Sequence, residues 1–285
     1  MKNGRTINTL SSHLKKVFGG SVSKVTFKLG LDCPNRVNGD GCIFCSGLEL
    51  VPRHFCIGDS VGVQIKKGME AKGRKPSKGY VAYLQDHTGT NCPPDLLLES
   101  LKEAAEVPGV LAVSVGTRPD CLEPDILDVL TEVSRIKPVW LEIGLQSSSA
   151  ATLAAINRGH DPGAFTRAAS EAINRGFEVI AHVVLGLPGE GIEDCIRTAG
   201  FLADARVHGV KIHNIIVLRD TKLHKMHAAG LFKPPEMDEY CAMAVSFLEH
   251  TPEDVVIHRL AADASADLIV APDWAKRKLP VIAAI

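Results

Sequence analysis

Six short apolar runs, each trailed by a helical pattern, restrict this chain to few folds. They cover residues 22–29, 80–84, 111–115, 139–145, 178–185 and 210–217, and several begin about thirty residues apart, the length of one strand–helix unit. Because the runs are almost continuously apolar, both faces of each strand should be covered, as in a parallel sheet with helices outside. Helix starts are legible between them. Pro93-Pro94-Asp95 opens a helix over 96–107, Glu123-Pro124-Asp125 one over 126–136, and Asp161-Pro162 one that ends before Gly176, each with proline where a first-turn N–H is dispensable. The pattern predicts an α/β fold, a partial (β/α)6 TIM-like barrel over residues 1–230. Beyond Gly230 it breaks into a helix at about 236–250, a short strand at 255–260 and a Pro/Ala-rich end. Residues 231–285 are expected to be a C-terminal extension packed on the barrel.

Polar residues gather after the strands. Cys33 follows the first, Gln85-Asp-His-Thr88 the second, Gly116-Thr-Arg-Pro-Asp120 the third, Gln146 the fourth, Gly186-Leu-Pro-Gly-Glu190 the fifth and Arg219-Asp220 the sixth. Those are C-terminal strand ends, where βα barrels keep their chemistry.

The first strand-to-strand interval is nearly double the others, and it holds Cys33, Cys42 and Cys45 within thirteen residues. Three thiols suit an iron–sulfur cluster that leaves one iron open to a substrate or cosubstrate. Fully extended, the nine steps from Cys33 to Cys42 would span roughly 30 Å, so the loop must double back. Pro34, Asn35 and the run Asn38-Gly-Asp-Gly41 supply the turn conformations. Two other readings stay open. Structural zinc needs a fourth ligand, for which His54 or Cys56 is near, and a redox C-x-x-C would leave Cys33 unused. Cys56, Cys92, Cys121, Cys195 and Cys241 are scattered and read mostly as small buried apolar groups, with Cys92 and Cys121 near enough to strand ends to face a substrate.

With 285 residues, 45% of them hydrophobic, the chain can bury one large core. No stretch of about 18 apolar residues could span a bilayer, and the first residues lack a signal-peptide core, so a cytoplasmic protein without membrane contact is expected. Eight cysteines there favour metal or free thiols over disulfides. A net charge of −1 gives no global pull on nucleic acid. Locally, Lys66, Lys67, Lys72, Arg74, Lys75 and Lys78 face only Glu70; the stretch reads as a solvated helix end or as a phosphate-contacting rim for RNA.

Taken together, Cys33, the Phe44-Cys45 pair, Gly116-Thr-Arg-Pro-Asp120, Leu141-Glu-Ile-Gly-Leu-Gln146, Asn157-Arg-Gly-His160, Gly186-Leu-Pro-Gly-Glu190 and His258-Arg-Leu260 resemble the YhcC/YtqA-type radical SAM proteins. The resemblance runs from about Thr6 to the last residue. Eight residues separate Cys33 from Cys42 where the superfamily commonly has three, a spacing that marks this branch. The resemblance implies a [4Fe–4S] cluster on Cys33, Cys42 and Cys45, and S-adenosylmethionine on the fourth iron as the source of a 5′-deoxyadenosyl radical. It puts Phe44 beside the adenine, Gln85 to Thr88 at the methionine amino group, Gln146 at the ribose and Arg158 on the carboxylate, which a guanidinium can fork. His182 falls at a ribose or adenine position, or is a satisfied core histidine. Gly186 and Pro188 shape the adenine wall, and Glu190 joins them or serves as a helix first-turn acid. Arg118 and Asp120 pair with each other or meet substrate. His213, His258 and Arg259 could line the far side of the cavity.

A reductant such as flavodoxin or ferredoxin is implied as partner. The Gly-Thr-Arg-Pro-Asp and Arg-Gly-His segments are also similar to the radical domain of the Elongator catalytic subunit, implying a transfer-RNA wobble uridine as substrate; room for that protein's acetyltransferase domain is not expected in these 285 residues. A small metabolite or a peptide is the alternative, since aromatics at 5% offer few stacking platforms. From another class, a non-catalytic iron–sulfur or zinc scaffold would keep the barrel and lose the radical chemistry.

Overall fold

The computed structural model describes residues 7–46, 56, 58–73 and 77–285. His54, Arg74 and Lys75, weighed above as a metal ligand and as part of the basic stretch, lie outside them. The strands are β1 Val22–Phe27, β2 Gly79–Leu84, β3 Val110–Thr117, β4 Val139–Gln146, β5 Glu178–Leu185, β6 Gly209–Asn214, β7 Val217–Leu218, β8 Val256–Arg259 and β9 Ile269–Ala271. Seven of them form one curled parallel sheet, a half-barrel, in the order β1-β2-β3-β4-β5-β6-β8. Strictly sequential parallel pairing requires a crossover between each pair of strands, and helices supply them.

Helices begin where the sequence signals a start. Pro94, Pro124 and Pro162 are the first residues of Pro94–Glu106, Pro124–Ser134 and Pro162–Asn174. Asp161 adds a side-chain cap on the Ala164 amide at 2.7 Å. Their apolar faces meet the outer face of the sheet, where Phe27, Leu84, Leu97, Leu101, Leu130, Phe165 and Phe247 are fully buried. Each such side chain contributes about 1.5–3 kcal/mol by leaving water.

The inner face is closed from below. Val81, Ala112, Trp140 and Ile180 alternate with outward residues on β2 to β5, and they form a separate apolar cluster with Leu14. Leu14 belongs to helix Leu10–Phe18, which starts at Thr9, whose hydroxyl accepts from the Ser12 amide. Just before it, the Asn8 carbonyl accepts from the Ile257 amide at 2.8 Å. This helix is the floor of the half-barrel.

Two departures from the expected pattern stand out. The sheet has seven strands rather than six: β8, expected as part of an extension, pairs in parallel with β6 through Gly209–Val256 and Val210–Ile257, and helix Met237–Glu249 provides the crossover. The run 210–217 also splits. β6 ends at Asn214, whose side-chain oxygen accepts from the Ala262 amide at 2.8 Å, while β7 turns away to pair antiparallel with β9. Among the described residues, no helix is long and apolar enough to cross a membrane.

Candidate active site at the mouth of the half-barrel

Cys33 lies just after β1 and precedes the short helix Pro34–Val37, its carbonyl accepting from the Arg36 and Val37 amides at 2.8 and 3.0 Å. The reversal expected of this loop is present. Gly41 has φ +68, and a Cβ there would lie 2.8 Å from Arg36 Cγ, so the turn needs glycine. The loop is then tied to the segment after β4. Asn157 Nδ2 donates to the Gly41 carbonyl at 2.7 Å, Asn35 Nδ2 to the Asn157 carbonyl at 2.7 Å, and the Ile43 amide to the Ile156 carbonyl at 3.0 Å.

Cys33 and Cys42 are buried and Cys45 is exposed. Two buried guanidinium groups face the buried pair: Arg118 Nη1 donates to Cys33 Sγ at 3.7 Å and Arg158 Nη1 to Cys42 Sγ at 3.8 Å. A hydrogen bond from Cys45, with Arg158 and Arg118 nearby, draws the Cys42 thiol down to about 6, while its thiolate pushes Cys45 up. Positive surroundings of this kind favour thiolate, the form that binds metal. Burial does the opposite to the other strand-end cysteines, raising Cys92 to about 11 and Cys121 to about 12; both stay thiols at neutral pH. Among the described residues, no three His, Cys, Asp or Glu side chains converge as they would on a single metal ion. Cluster thiolates differ in that each holds a separate iron, at a separate corner.

Arg118 and Asp120 form the expected internal ion pair, with Nε and Nη2 donating at 2.9 and 2.8 Å. Arg158 is held differently from an open fork. Its Nη2 donates to the Gly144 carbonyl at 2.8 Å and its Nη1 faces the Cys42 sulfur, while Nε has no partner among the described residues. The bare backbone of Gly144 leaves room here for two side-chain ends, since a Cβ would come within 2.5 Å of Arg158 Nη2 and 2.9 Å of Gln146 Nε2. Gln146 ends β4 at φ 78 beside an irregularity in the β4–β5 register, a conformation costing about 1–3 kcal/mol in a non-glycine residue and characteristic of functional sites.

After β2, Asp86 accepts from the Leu29 amide at 2.7 Å, and burial raises its carboxyl despite that bond. Thr88 is fully buried, and its hydroxyl has no partner among the described residues. Gln85, His87, Phe44 and Cys45 line a cavity of about 220 Å³ together with Lys28, Ser46, Asp86 and Leu218. Gly186 does not line this cavity. Its φ is +83, a Cβ would sit 2.6 Å from Pro235 Cγ, and it lines a separate groove with Glu190, Phe232 and Pro235. Glu190 accepts from Ser147 Oγ at 2.5 Å and is raised by burial; the helix that follows uses Asp194 as its first-turn acid.

His182 points into the half-barrel below the mouth, with Nε2 2.8 Å from Glu142 Oε2 and its ring 5.4 Å from that of His213. Burial, then Lys211, lowers it to about 4, so it is neutral at pH 7. Glu142 is the group that sequence reasoning missed. Completely buried, it accepts from Lys24, Ser114, His182 and Lys211. Burial works against its charge, but Lys211, Lys24 and His182 outweigh it and hold the carboxyl well below the usual range. The signal was present: Glu142 and Lys211 are charges at inward positions, each flanked by apolar residues of its strand.

Residues 29–202 match the Radical SAM superfamily and residues 207–285 the Radical_SAM C-terminal domain. YtqA of Bacillus subtilis is 33% identical over 289 residues, covering 98% of this chain and 88% of that protein. YhcC of Escherichia coli is 32% identical over 281 residues, covering 96% and 89%. Elongator complex protein 3 of Homo sapiens is 28% identical over 191 residues, 65% of this chain and 33% of that protein. In fold, the chain is similar to Methanocaldococcus infernus Elp3, with a TM-score of 0.66 at 19% identity over 87% of this chain and 58% of that one. With both family matches, coverage of almost the whole of two relatives, and the same half-barrel, the chain belongs to the radical SAM superfamily, alongside YtqA and YhcC.

Proposed function

We propose that the chain is a radical SAM enzyme in which Cys33, Cys42 and Cys45 hold a [4Fe–4S] cluster and the surrounding mouth holds S-adenosylmethionine. Superfamily membership implies both groups. The observation that carries the assignment to these residues is the donor set itself: three thiols on one doubled-back loop, two of them faced by buried guanidinium groups. Thr88 Oγ1 and Arg158 Nε, at the same mouth and without partners among the described residues, fit a polar cofactor fragment, since buried groups of this kind are otherwise satisfied. When bound, the two groups supply a 5′-deoxyadenosyl radical able to take hydrogen from unactivated carbon. The protein's part is positional. Arg118 and Arg158 compensate thiolate charge, Thr88 and Gln85 to His87 receive the methionine end, and Phe44 offers a ring face inside the 220 Å³ cavity. Gly144 leaves room for Arg158 and holds it by its carbonyl against the Cys42 sulfur. His182 is bound to Glu142 inside the half-barrel and Gly186 lines a second groove; the ribose or adenine contacts that the resemblance implies for them are part of this proposal.

The substrate we infer is a side chain on a transfer-RNA uridine, and flavodoxin or ferredoxin is the expected reductant. Similarity to Elongator complex protein 3 supports it, as do the exposed Lys66, Lys72 and Lys78 near one edge; Lys67 is paired with Asp59 at 2.7 Å. After anaerobic reconstitution, dithionite and S-adenosylmethionine are expected to yield 5′-deoxyadenosine, and its absence would reject the radical reading. Nucleoside mass spectrometry of a deletion strain is expected to show one uridine derivative lost and its precursor accumulated. An unchanged profile would leave a small metabolite or peptide as substrate.

A further inference from the structure

The inner face of the half-barrel is layered. Above the apolar floor every strand turns a polar side chain inward: Lys24 on β1, Tyr83 on β2, Ser114 on β3, Glu142 on β4, His182 on β5, Lys211 on β6, and His258 and Arg259 on β8. Barrel interiors are ordinarily packed with branched apolar residues, so a complete polar layer calls for an occupant. The layer is reached by solvent: side chains of Lys24, His182, Lys211 and Arg259 keep 20%, 16%, 11% and 32% of their exposure.

Its charge is unbalanced. Both lysines share the single carboxylate of Glu142, and neutral His182 adds none. Arg259 brings a third cation, whose partner Asp263 is 3.7 Å away and is also bound by Lys278. Burial, incompletely offset by Glu142, lowers Lys211 to about 8. Beyond Glu142, Lys211 Nζ meets Tyr83, its hydroxyl at 3.3 Å and its ring centroid at 4.7 Å, so among the described residues one of its three N–H donors has no oxygen to bond. Lys24 otherwise meets the ring faces of Tyr83 and Trp140, 4.9 and 5.9 Å from their centroids. Among the described residues, His213 Nε2 and His258 Nδ1 have no hydrogen-bond partner and are buried.

The layer also sits directly under the mouth. Gly144, two residues above Glu142 on the same face of β4, is the residue whose carbonyl holds Arg158 against Cys42. Two residues of strand rise about 7 Å, the reach of a short organic chain. We propose that this layer anchors the substrate by an anionic oxygen group, a carboxylate or a phosphate, received by Lys211, Lys24 and Arg259, with the remainder of the substrate rising toward the cysteine loop. The orientation rests on the radical reading above; the anion site itself does not.

Titration of the anaerobically reconstituted protein, labelled with 13Cε1-histidine, with sodium acetate and separately with sodium phosphate tests this, sodium chloride holding ionic strength constant. His182 and His213 resonances are expected to shift saturably at millimolar anion, and the stronger of the two arms identifies the group. Lys211→Met is expected to weaken the anion by at least about thirtyfold, as loss of one buried charge partner does. Arg259→Gln, at a more exposed position, should weaken it about fivefold; it guards against a misfolded Lys211 variant, and iron content and circular dichroism report the fold of each. Absence of a saturable shift with either anion, in protein that forms 5′-deoxyadenosine, overturns the anion site and leaves the radical reading standing. Saturable shifts in protein that forms no 5′-deoxyadenosine uphold the site while the radical reading fails.

Discussion

Cys33→Ala, Cys42→Ala and Cys45→Ala are each expected to strip the oxygen-protected protein of its cluster and to lower 5′-deoxyadenosine formation by more than about a hundredfold, beyond the effect of altering outer groups around a metal. Each thiol has its own route into the site. Cys33 is set by the helix turn at Pro34, Cys42 by Gly41 and the Asn35–Asn157 pair, and Cys45 by the turn whose amide bonds back to the Cys42 carbonyl at 3.0 Å. None can substitute for another without rebuilding the loop. Cys195→Ala is the control: Cys195 is buried in the main core, and its loss should change stability slightly and product formation not at all. Retention of iron and of product in any one of the three loop variants would remove that residue from the site.

Glu142→Gln is expected to lower stability by about 3–5 kcal/mol, the consequence of removing one member of a buried ionic network and leaving the others uncompensated. Against a typical total of about 5–15 kcal/mol that is a large fraction, visible as a shifted midpoint in urea with little change in slope. A loss under about 1 kcal/mol would mean that water already screens the layer. The dependence on pH follows from the two directions of shift. The folded-state pKa of Glu142 lies below its unfolded value, so its stabilisation is present above the ordinary carboxylate range and is lost as pH falls through the folded value. Lys211 is displaced downward to about 8, so its charge opposes folding fully below that pH, and the opposition fades as pH rises toward about 10.4. In Glu142→Gln the lysine loses the carboxylate that raised it, so its proton should leave at still lower pH.

The alternation of strand and helix was legible because it is a local property. Six strands and the proline-led helices Pro94–Glu106, Pro124–Ser134 and Pro162–Asn174 follow from apolar runs and first-turn chemistry. The place of β8 was not, because a four-residue strand carries no mark of which edge it will join. The break at Asn214 was hidden for a related reason: apolar residues continue to Val217, and only the distant Ala262 amide shows why the chain leaves the sheet. At the site, the three cysteines were conspicuous by spacing. Their environment was not, since Arg118 and Asn157 lie 85 and 122 positions from the groups they meet. His182 stood out as a lone polar residue in an apolar strand, yet its partner Glu142, 40 positions earlier, fixes it in the interior layer. Long-range pairing across a parallel sheet leaves only inward-facing charges as its trace in sequence.

The most direct test of the account is electron paramagnetic resonance of the dithionite-reduced, reconstituted protein before and after S-adenosylmethionine is added. A cluster held by Cys33, Cys42 and Cys45 alone has one iron available, so a reduced-cluster signal whose g-values move on addition is the predicted result. A signal unchanged by saturating S-adenosylmethionine would contradict it, because it would mean that the fourth iron is already capped by the protein.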